Sequence, residues 1–206
     1  MGKVATGLSM SLDGFIAGPN DGPDNPLGDG GARLFAWYSG GDTDLQLPGG
    51  VPPMKVSRAS ADLLREVHGT VGALVTGRRT FDITHGWGGN PPLGVPAFVV
   101  THSVPQEWVY DGSPYTFVTD GVASAIRQAK AIAGEKNVAL GAASLVQQAL
   151  VAGLLDEIHV DFVPVLLGGG VRLFDHLGAA PIELERTRVI EAPGVTHLTF
   201  RVVKPA

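Results

Sequence analysis

Short apolar runs alternate with helix-like segments along most of the chain, and this alternation restricts the fold more than any other feature. The runs at 72–76, 96–101 and 137–140 have the length and composition of buried strands. Helical patterns between such runs end at glycine, as at Gly69 and Gly134. Strands that alternate with helices favour a mostly parallel sheet covered on both faces. The sequence therefore predicts an α/β protein with three layers.

The two ends of the chain depart from this alternation. A first strand at 3–10 ends at the Asp-Gly turn of residues 11–14. Near the C-terminus, extended segments at 181–190 and 195–203 are separated by a short turn that contains proline and glycine. This pattern predicts a C-terminal β-hairpin that adds antiparallel strands to the sheet.

A long segment at about 18–56 is rich in glycine, proline and aspartate and contains one short helical pattern at 33–38. Loops of this length inside compact domains are usually functional or disordered. Because this one carries aromatic side chains, we expect a folded lid or a subunit contact. The 206 residues, 44% of them hydrophobic, are enough for one core, so we expect a single domain over 1–206 with this loop as an insertion.

Composition excludes several classes of function. The chain has no cysteine, which excludes disulfides, thiolate nucleophiles and cysteine-ligated metals. Its net charge of −5 includes no run of lysine or arginine, so nucleic acid and membranes are not expected partners. The six histidines are dispersed, which predicts no metal site. With neither a signal-peptide pattern nor an apolar stretch of about 18 residues, we expect a cytoplasmic protein.

Two strand-to-helix turns are candidate ligand sites. At the first, Gly77 precedes Arg78, Arg79 and Thr80, so that free N–H groups, a helix dipole and arginines converge as in an anion site. The alternative is a tight turn with two solvated arginines. The second turn, at 141–145, has small residues that either admit a ligand or serve helix packing. Neither is the Gly-x-Gly-x-x-Gly fingerprint, which disfavours a standard Rossmann fold.

Five motifs occur in a consistent order: SLDGFIA at 11–17, TGRRTF at 76–81, GAASLVQ at 141–147, LLDEI at 154–158 and PVLLGGG at 164–170. Together they resemble the dihydrofolate-reductase-like superfamily, and within it the reductase domain of riboflavin biosynthesis. The resemblance covers most of the chain. It implies a dihydrofolate-reductase-like three-layer fold, NADPH as cofactor and a homodimer.

The resemblance also assigns residues to parts of the cofactor. Those at the nicotinamide are Gly14, Phe15, Ile16 and Ala17, and those at the phosphates are Gly77, Arg78, Arg79 and Thr80. Those at the adenosine ribose and 2′-phosphate are Thr101, His102 and Ser103, and those along the pyrophosphate are Gly141, Ala142, Ala143, Ser144 and Leu145. The family commonly has two consecutive glycines where this chain has Gly141 and Ala142.

A reductase of this kind needs a proton donor, and the candidates are an ordered water or the candidate catalytic residues Asp13 and Asp62. Asp13 is alternatively a turn residue that bonds its own backbone, and Asp62 a helix-start aspartate favoured by the dipole. Trp37 and Phe162 are candidate walls for a flat substrate, although such aromatic residues are more often core.

The predicted activity is hydride transfer from NADPH to a C=N or C=O group of a small heterocycle. The resemblance points to a 5-amino-6-(5-phosphoribosylamino)uracil reductase or a dihydrofolate reductase as the nearest type of enzyme. Only Arg58 and Arg65 represent the arginines that would recognise a ribose phosphate. The alternative is a non-catalytic nucleotide-binding or interaction protein that retains the fold.

Overall fold

The computed structural model of the protein describes residues 2–141 and 143–204. In chain order its strands and helices are β1 (Val4–Ser11), β2 (Phe15–Ala17), β3 (Thr43–Leu45), β4 (Met54–Val56), α1 (Arg58–Gly69), β5 (Val71–Gly77), α2 (Arg78–Ile83), β6 (Ala97–Val100), β7 (Tyr115–Val118), α3 (Val122–Ala133), β8 (Asn137–Leu140), α4 (Ala143–Val151), β9 (Glu157–Val163), β10 (Val171–Arg172), β11 (Leu184–Ala192) and β12 (Val195–Val202). Three 3₁₀ helices span Gly31–Ser39, His85–Gly89 and Gln106–Trp108.

An eight-stranded sheet forms the centre, in the order β11-β12-β9-β1-β8-β5-β6-β7. The strands from β9 to β7 pair in parallel, whereas β12 and β11 are antiparallel and close one edge. The predicted mostly parallel sheet with a C-terminal hairpin is thus confirmed. Within the described ranges, no helix is long and apolar enough to cross a membrane.

Successive side chains of a strand point to opposite faces, so each strand contributes to two layers. On one face, α3 and α4 cover a core that includes Val75, Ile126 and Val146. On the other face, α1 and the first 3₁₀ helix cover a second cluster that includes Leu34 and Leu64. These layers match the predicted three-layer arrangement.

Helix α1 begins at a serine cap. The Ser57 Oγ accepts a hydrogen bond from the Ser60 backbone N–H at 3.2 Å, which satisfies one of the free N–H groups of the first turn. Apolar residues one turn apart turn Leu64 into the core, while Asp62 and Arg65 stay exposed. The helix thereby presents one apolar face to the sheet.

The 18–56 segment is folded against the sheet. Its predicted helix at 33–38 is the 3₁₀ helix Gly31–Ser39, in which Leu34 and Trp37 are buried. The Trp37 indole N–H donates to the Ser9 Oγ of β1 at 3.3 Å, which joins the segment to the central sheet. The hairpin of β3 and β4 was not predicted, because strands of three residues are too short to show a period of two.

The pairing of β2 with β10 brings two backbone segments unusually close. Gly170 has a φ of +121°, and a Cβ built on it would lie 2.0 Å from the Ala17 carbonyl oxygen. Only glycine combines this conformation with this approach. Gly170 therefore anchors the loop that carries the PVLLGGG motif beside the segment at 14–17.

We expect the substitution Gly170→Ala to be strongly destabilising, with Gly168→Ala as its matched control. Gly168 also has a positive φ, +76°, but a Cβ there would meet no atom within 4 Å. The control should lose about 1 kcal/mol from backbone strain, and Gly170→Ala about 1–3 kcal/mol beyond that from the steric clash. Urea denaturation of both variants measures the difference, and equal unfolding midpoints would contradict the close approach.

Candidate functional site

The carboxyl ends of the parallel strands bring three predicted cofactor segments to one edge of the sheet. The segments at 77–80, 101–103 and 141–145 follow β5, β6 and β8, and β5 lies between the other two strands in the sheet. Ligands of open α/β sheets bind at this end of the strands. The tertiary structure therefore brings together three segments that the motifs predicted separately as parts of a phosphate site.

Arg78 is held between α2 and the segment after β6. Its Nε donates to both carboxylate oxygens of Asp82, at 2.7 and 2.9 Å, and its Nη1 donates to the Ser103 carbonyl oxygen at 2.8 Å. The Thr101 hydroxyl donates to that same carbonyl at 2.7 Å, so it holds its own turn together. Arg78 thus has a fixed position, and its charge is balanced by Asp82.

Arg79 is bound by the 18–56 segment. It forms a two-pronged ion pair with Asp21, with Nη2 to Oδ1 at 2.9 Å and Nε to Oδ2 at 3.2 Å. The Arg79 side chain is nevertheless 67% exposed. A phosphate bound at this arginine would have to replace or share the Asp21 carboxylate.

The turn after β8 leaves backbone accessible at Gly141. Its N–H donates to the Val75 carbonyl oxygen at 2.8 Å, and an added Cβ would meet only that oxygen, at 4.0 Å. The next predicted residue, Ala142, lies outside the described residues. Ala143 and Leu145 are buried residues of α4, whereas Ser144 of the same helix is exposed. Among the described members of this segment, Gly141 and Ser144 are the ones with access to a ligand.

The predicted nicotinamide segment, Gly14 to Ala17, is fixed by β2. Phe15 is buried, and the guanidinium of Arg172 lies 4.5 Å from the centre of its ring. The Phe15 N–H donates to the Ser11 Oγ at 2.9 Å. The segment therefore forms a rigid wall where β1 ends.

Asp13 clamps the first turn to the loop after β9. Its carboxylate accepts hydrogen bonds from the Ser11 hydroxyl at 2.6 Å and from the N–H groups of Leu167 and Gly168 at 3.1 and 2.7 Å. The Ser11 bond and the two backbone donors lower the pKa of Asp13 to about 2. Ionised at neutral pH, Asp13 carries no proton to donate, and its carboxylate holds the loop after β9.

Two other predicted residues lie away from any enclosed space. Asp62 is exposed on α1 and forms ion pairs with Arg58 and Arg65, at 3.8 and 3.3 Å. Phe162 lies on the opposite face of β9 from Asp161, packed against the core under α3 and α4. Neither position brings the side chain to the cavity described next.

A cavity of about 130 Å³ lies between α1, the first 3₁₀ helix and the sheet. Leu63 and Leu64 of α1 line it, as do Phe35 and Tyr38 of the 3₁₀ helix. Its polar side chains are Ser9, His68, His159, Asp161, His197 and Thr199. Trp37, a predicted substrate residue, packs edge-on against His197 with ring centres 5.2 Å apart.

Strand register explains why these polar groups meet. Asp161 of β9 lies opposite Ser9 of β1 and opposite His197 of β12, and His159 lies opposite Thr199. Residues that are paired across adjacent strands point to the same face. The face of the sheet under α1 therefore carries two rows of polar side chains.

One of these rows continues into α1 as a hydrogen-bonded chain. The Asp161 Oδ1 lies 2.6 Å from the His197 Nδ1, and the His197 Nε2 lies 2.8 Å from the Ser60 Oγ. Ser60 and His197 are both buried. If the imidazole is neutral, Nδ1–H donates to Asp161 and the Ser60 hydroxyl donates to Nε2.

The remaining titratable groups of the cavity are shifted toward neutrality. Burial lowers the pKa of His68 and of His159 below the ordinary histidine value. Burial and the charge of Asp161 raise the pKa of Tyr38. Among the described residues, no cluster of three or more His, Cys, Asp or Glu is arranged to hold a metal ion.

Sequence reasoning missed Ser60, Asp161 and His197. The spacing of the histidines along the chain indicates only contacts between nearby residues, whereas the pairing of His197 with Asp161 joins residues 36 positions apart. One signal was present: polar residues alternate with apolar ones in β9 and again in β12. Such alternation marks a polar face, but whether that face meets solvent or a helix depends on tertiary packing.

We expect Asp13→Asn to destabilise the protein by an amount that depends on pH. Because the pKa of about 2 in the folded protein lies below the usual 3.8, the clamp stabilises fully well above pH 3.8 and is lost as pH falls toward 2. Urea midpoints of wild type and variant should differ at pH 7 and converge in acid. A difference that is constant with pH would contradict an ionised clamp.

Comparison with known proteins agrees with this architecture. Residues 3–197 match the RibD C-terminal domain family. No curated protein matches the chain. A putative riboflavin biosynthesis protein from Shewanella sp. PV-4 has a similar structure, with a TM-score of 0.71 and 21% identity over 99% of this chain and 100% of that one.

Two further solved structures share the fold. A pyrimidine reductase-like protein from Corynebacterium diphtheriae has a TM-score of 0.60 and 15% identity, over 99% of this chain and 93% of that one. A dihydrofolate reductase from Enterococcus faecalis, complexed with NADP(H) and RAB-propyl, has a TM-score of 0.55 and 13% identity, over 98% and 97%. With the family matched over nearly the whole chain and the dihydrofolate-reductase-like fold in common, the chain belongs to the RibD C-terminal domain family.

Proposed function

We propose that this protein is a reductase that binds NADPH along the carboxyl ends of β5, β6 and β8 and reduces a small heterocycle held in the cavity under α1. The observation that carries the proposal is the place of β1, which serves both regions. Its last residue, Ser11, lies at the carboxyl end of the strand, on the side of the proposed cofactor site, and Gly7 and Ser9 line the cavity. Two residues along a strand span about 7 Å, so the two regions are close.

The residues at the strand edge fit a polyanionic cofactor. They supply two arginines, the exposed side chains of His102 and Ser103, and open backbone at Gly141. A pyrophosphate and a 2′-phosphate need such cationic and N–H or O–H donors. The Enterococcus dihydrofolate reductase with the same fold was crystallised with NADP(H), which supports this choice of cofactor.

NADPH, when bound, would supply a hydride to the carbon of a C=N or C=O bond. The electron pair of that bond would pass to the nitrogen or oxygen, which would take up a proton from water, because Asp13 is ionised and Asp62 lies outside the cavity. The protein contributes position, exclusion of water by the 3₁₀ helix over the cavity, and the polar wall that faces the ring. The pyrimidine reductase-like structure from Corynebacterium diphtheriae supports a heterocyclic substrate.

A second candidate is a nucleotide-binding protein without catalysis. It is favoured by the internal pairing of both arginines, Arg78 with Asp82 and Arg79 with Asp21. It is favoured also by the ionised state of Asp13. An absorbance assay of NADPH oxidation with dihydrofolate and pyrimidinone compounds separates the two functions. Cofactor binding with every substrate inert would favour this second candidate. A homodimer and a cytoplasmic location stay predictions.

We expect Arg78→Ala to weaken NADPH binding by about 1.5–3 kcal/mol, the usual contribution of a hydrogen bond to a charged group. The loss should be smaller for NADH, which lacks the 2′-phosphate. Arg201→Ala is the matched control, since Arg201 is an exposed arginine paired with Glu185 at the opposite edge of the sheet. Isothermal titration measures all three proteins. An unchanged preference for NADPH over NADH in Arg78→Ala would contradict the proposed phosphate site.

We expect Asp21→Asn to strengthen NADPH binding modestly, because it releases Arg79 from its carboxylate partner. The asparagine keeps the size of the side chain and leaves the Asp21 carbonyl bond to Arg79 possible. The same titration measures the change. Weaker binding in this variant would show that the ion pair shapes the site instead of competing with the cofactor.

A further inference from the structure

The hydrogen-bonded chain of Ser60, His197 and Asp161 is not part of the proposed cofactor site at the carboxyl ends of β5, β6 and β8. It begins at the cap of α1, where the Ser57 hydroxyl donates to the Ser60 Oγ at 3.0 Å, and it ends at a carboxylate in the cavity wall. Buried polar chains are costly unless each member has a partner. The Asp161 end of this chain therefore needs a hydrogen-bond partner.

Asp161 is the member with an unused acceptor. Its Oδ1 bonds His197, whereas Oδ2 accepts no hydrogen bond from the described residues. The Asp161 side chain is only 17% exposed, and that exposure lies in the cavity. A carboxylate held largely out of water is stabilised by a hydrogen-bond donor. Asp161 Oδ2 thus lacks a donor, which a ligand can supply, and the buried His68 Nδ1 of the same cavity also has no hydrogen-bond partner among the described residues.

Charges around the cavity favour a ligand that donates hydrogen bonds or carries positive charge. Besides Asp161, the titratable and polar groups that line it are His68 from α1, Tyr38 from the 3₁₀ helix, Ser9 from β1, His159 from β9, and His197 and Thr199 from β12. Burial favours the neutral forms of Tyr38, His68 and His159. No described lysine or arginine lines the cavity to attract an anion.

The size of the cavity limits the ligand to a single ring. Its volume of about 130 Å³ is slightly below the roughly 150 Å³ of an engineered cavity in another protein that binds benzene. Phe35 and Tyr38 on one side and Leu63 on the other supply apolar surface for a flat ring. A ring with an N–H edge would contact these walls and reach Oδ2 of Asp161.

We propose that Asp161 binds the substrate of this protein by accepting a hydrogen bond from an N–H group of a single-ring heterocycle, and that His197 and Ser60 are positioning residues which hold its carboxylate. His197 occupies Oδ1 and so directs Oδ2 to the ring. Ser60 fixes the other nitrogen of the imidazole and ties the geometry to the start of α1. This inference rests on the proposed function in one respect: the ring is taken to be the hydride acceptor.

The experiment titrates 2-aminopyridine, a single ring with an N–H edge, into the protein without NADPH and follows the Trp37 indole resonance by NMR. Toluene, of similar size and without a donor, is the control ligand. Asp161→Asn keeps the side-chain volume and removes the charge. It should weaken 2-aminopyridine binding about tenfold or more and leave toluene unchanged, since a hydrogen bond to a charged group is lost.

The positioning roles are tested by a pair of substitutions at His197. His197→Gln keeps an N–H donor for Asp161 and should retain most of the affinity for 2-aminopyridine, whereas His197→Ala should lose about tenfold. A purely structural role would weaken both ligands alike. Should His197→Ala fail to fold, Ser60→Ala and its conservative partner Ser60→Thr make the same comparison at the next link of the chain.

Equal 2-aminopyridine affinity in wild type and Asp161→Asn would overturn the inference, as would the absence of binding by wild type. Isothermal titration of NADPH into Asp161→Asn separates this inference from the proposed function. If Asp161→Asn binds NADPH normally and wild type binds no 2-aminopyridine, the role of Asp161 is overturned and the proposed reductase function is not. If the protein binds 2-aminopyridine through Asp161 but binds no NADPH, the proposed reductase function is overturned and the inferred ring site is supported.

Discussion

The pairing of β1 with β8 on one side and with β9 on the other is the constraint on which the rest of the structure depends. Because all three strands run parallel, the carboxyl end of β1 lies beside the turns that carry the predicted phosphate site. Because the register of β1 with β9 places Ser9 opposite Asp161, the same strand forms the floor of the cavity. A shift of one residue would turn this polar row to the other face and place Asp161 in the apolar core.

The two carboxylates near β1 show how surroundings set the role of one residue type. Asp13 accepts three hydrogen bonds from fixed donors, which lowers its pKa and commits both of its oxygens to the backbone of the loop after β9. Asp161 has one fixed donor, His197, and one oxygen left toward an enclosed space. A carboxylate satisfied on both oxygens stabilises a loop, whereas one satisfied on a single oxygen is suited to bind a ligand.

The internal carboxylates that pair with Arg78 and Arg79 would compete with a bound phosphate. Each arginine is paired with an internal carboxylate, so the free energy of cofactor binding is the difference between a phosphate contact and an existing ion pair. The Arg79 side chain is 67% exposed, although that of Asp21 is only 16% exposed, so solvent screens this ion pair from the arginine side. Asp21 belongs to the 18–56 segment, whose 3₁₀ helix also covers the cavity. The insertion therefore contacts both halves of the candidate site.

The sequence by itself determined the strands and helices of the α/β core, the C-terminal hairpin and the strand-end turn at Gly77, because glycine stops and apolar periodicity are local properties. It also pointed to the 18–56 segment as a folded insertion. Only the tertiary structure decided that Asp13 is a clamp and that Phe162 faces away from the cavity. It alone joined Ser60, Asp161 and His197, because contacts between residues distant in the chain depend on strand order and register, which no local pattern encodes.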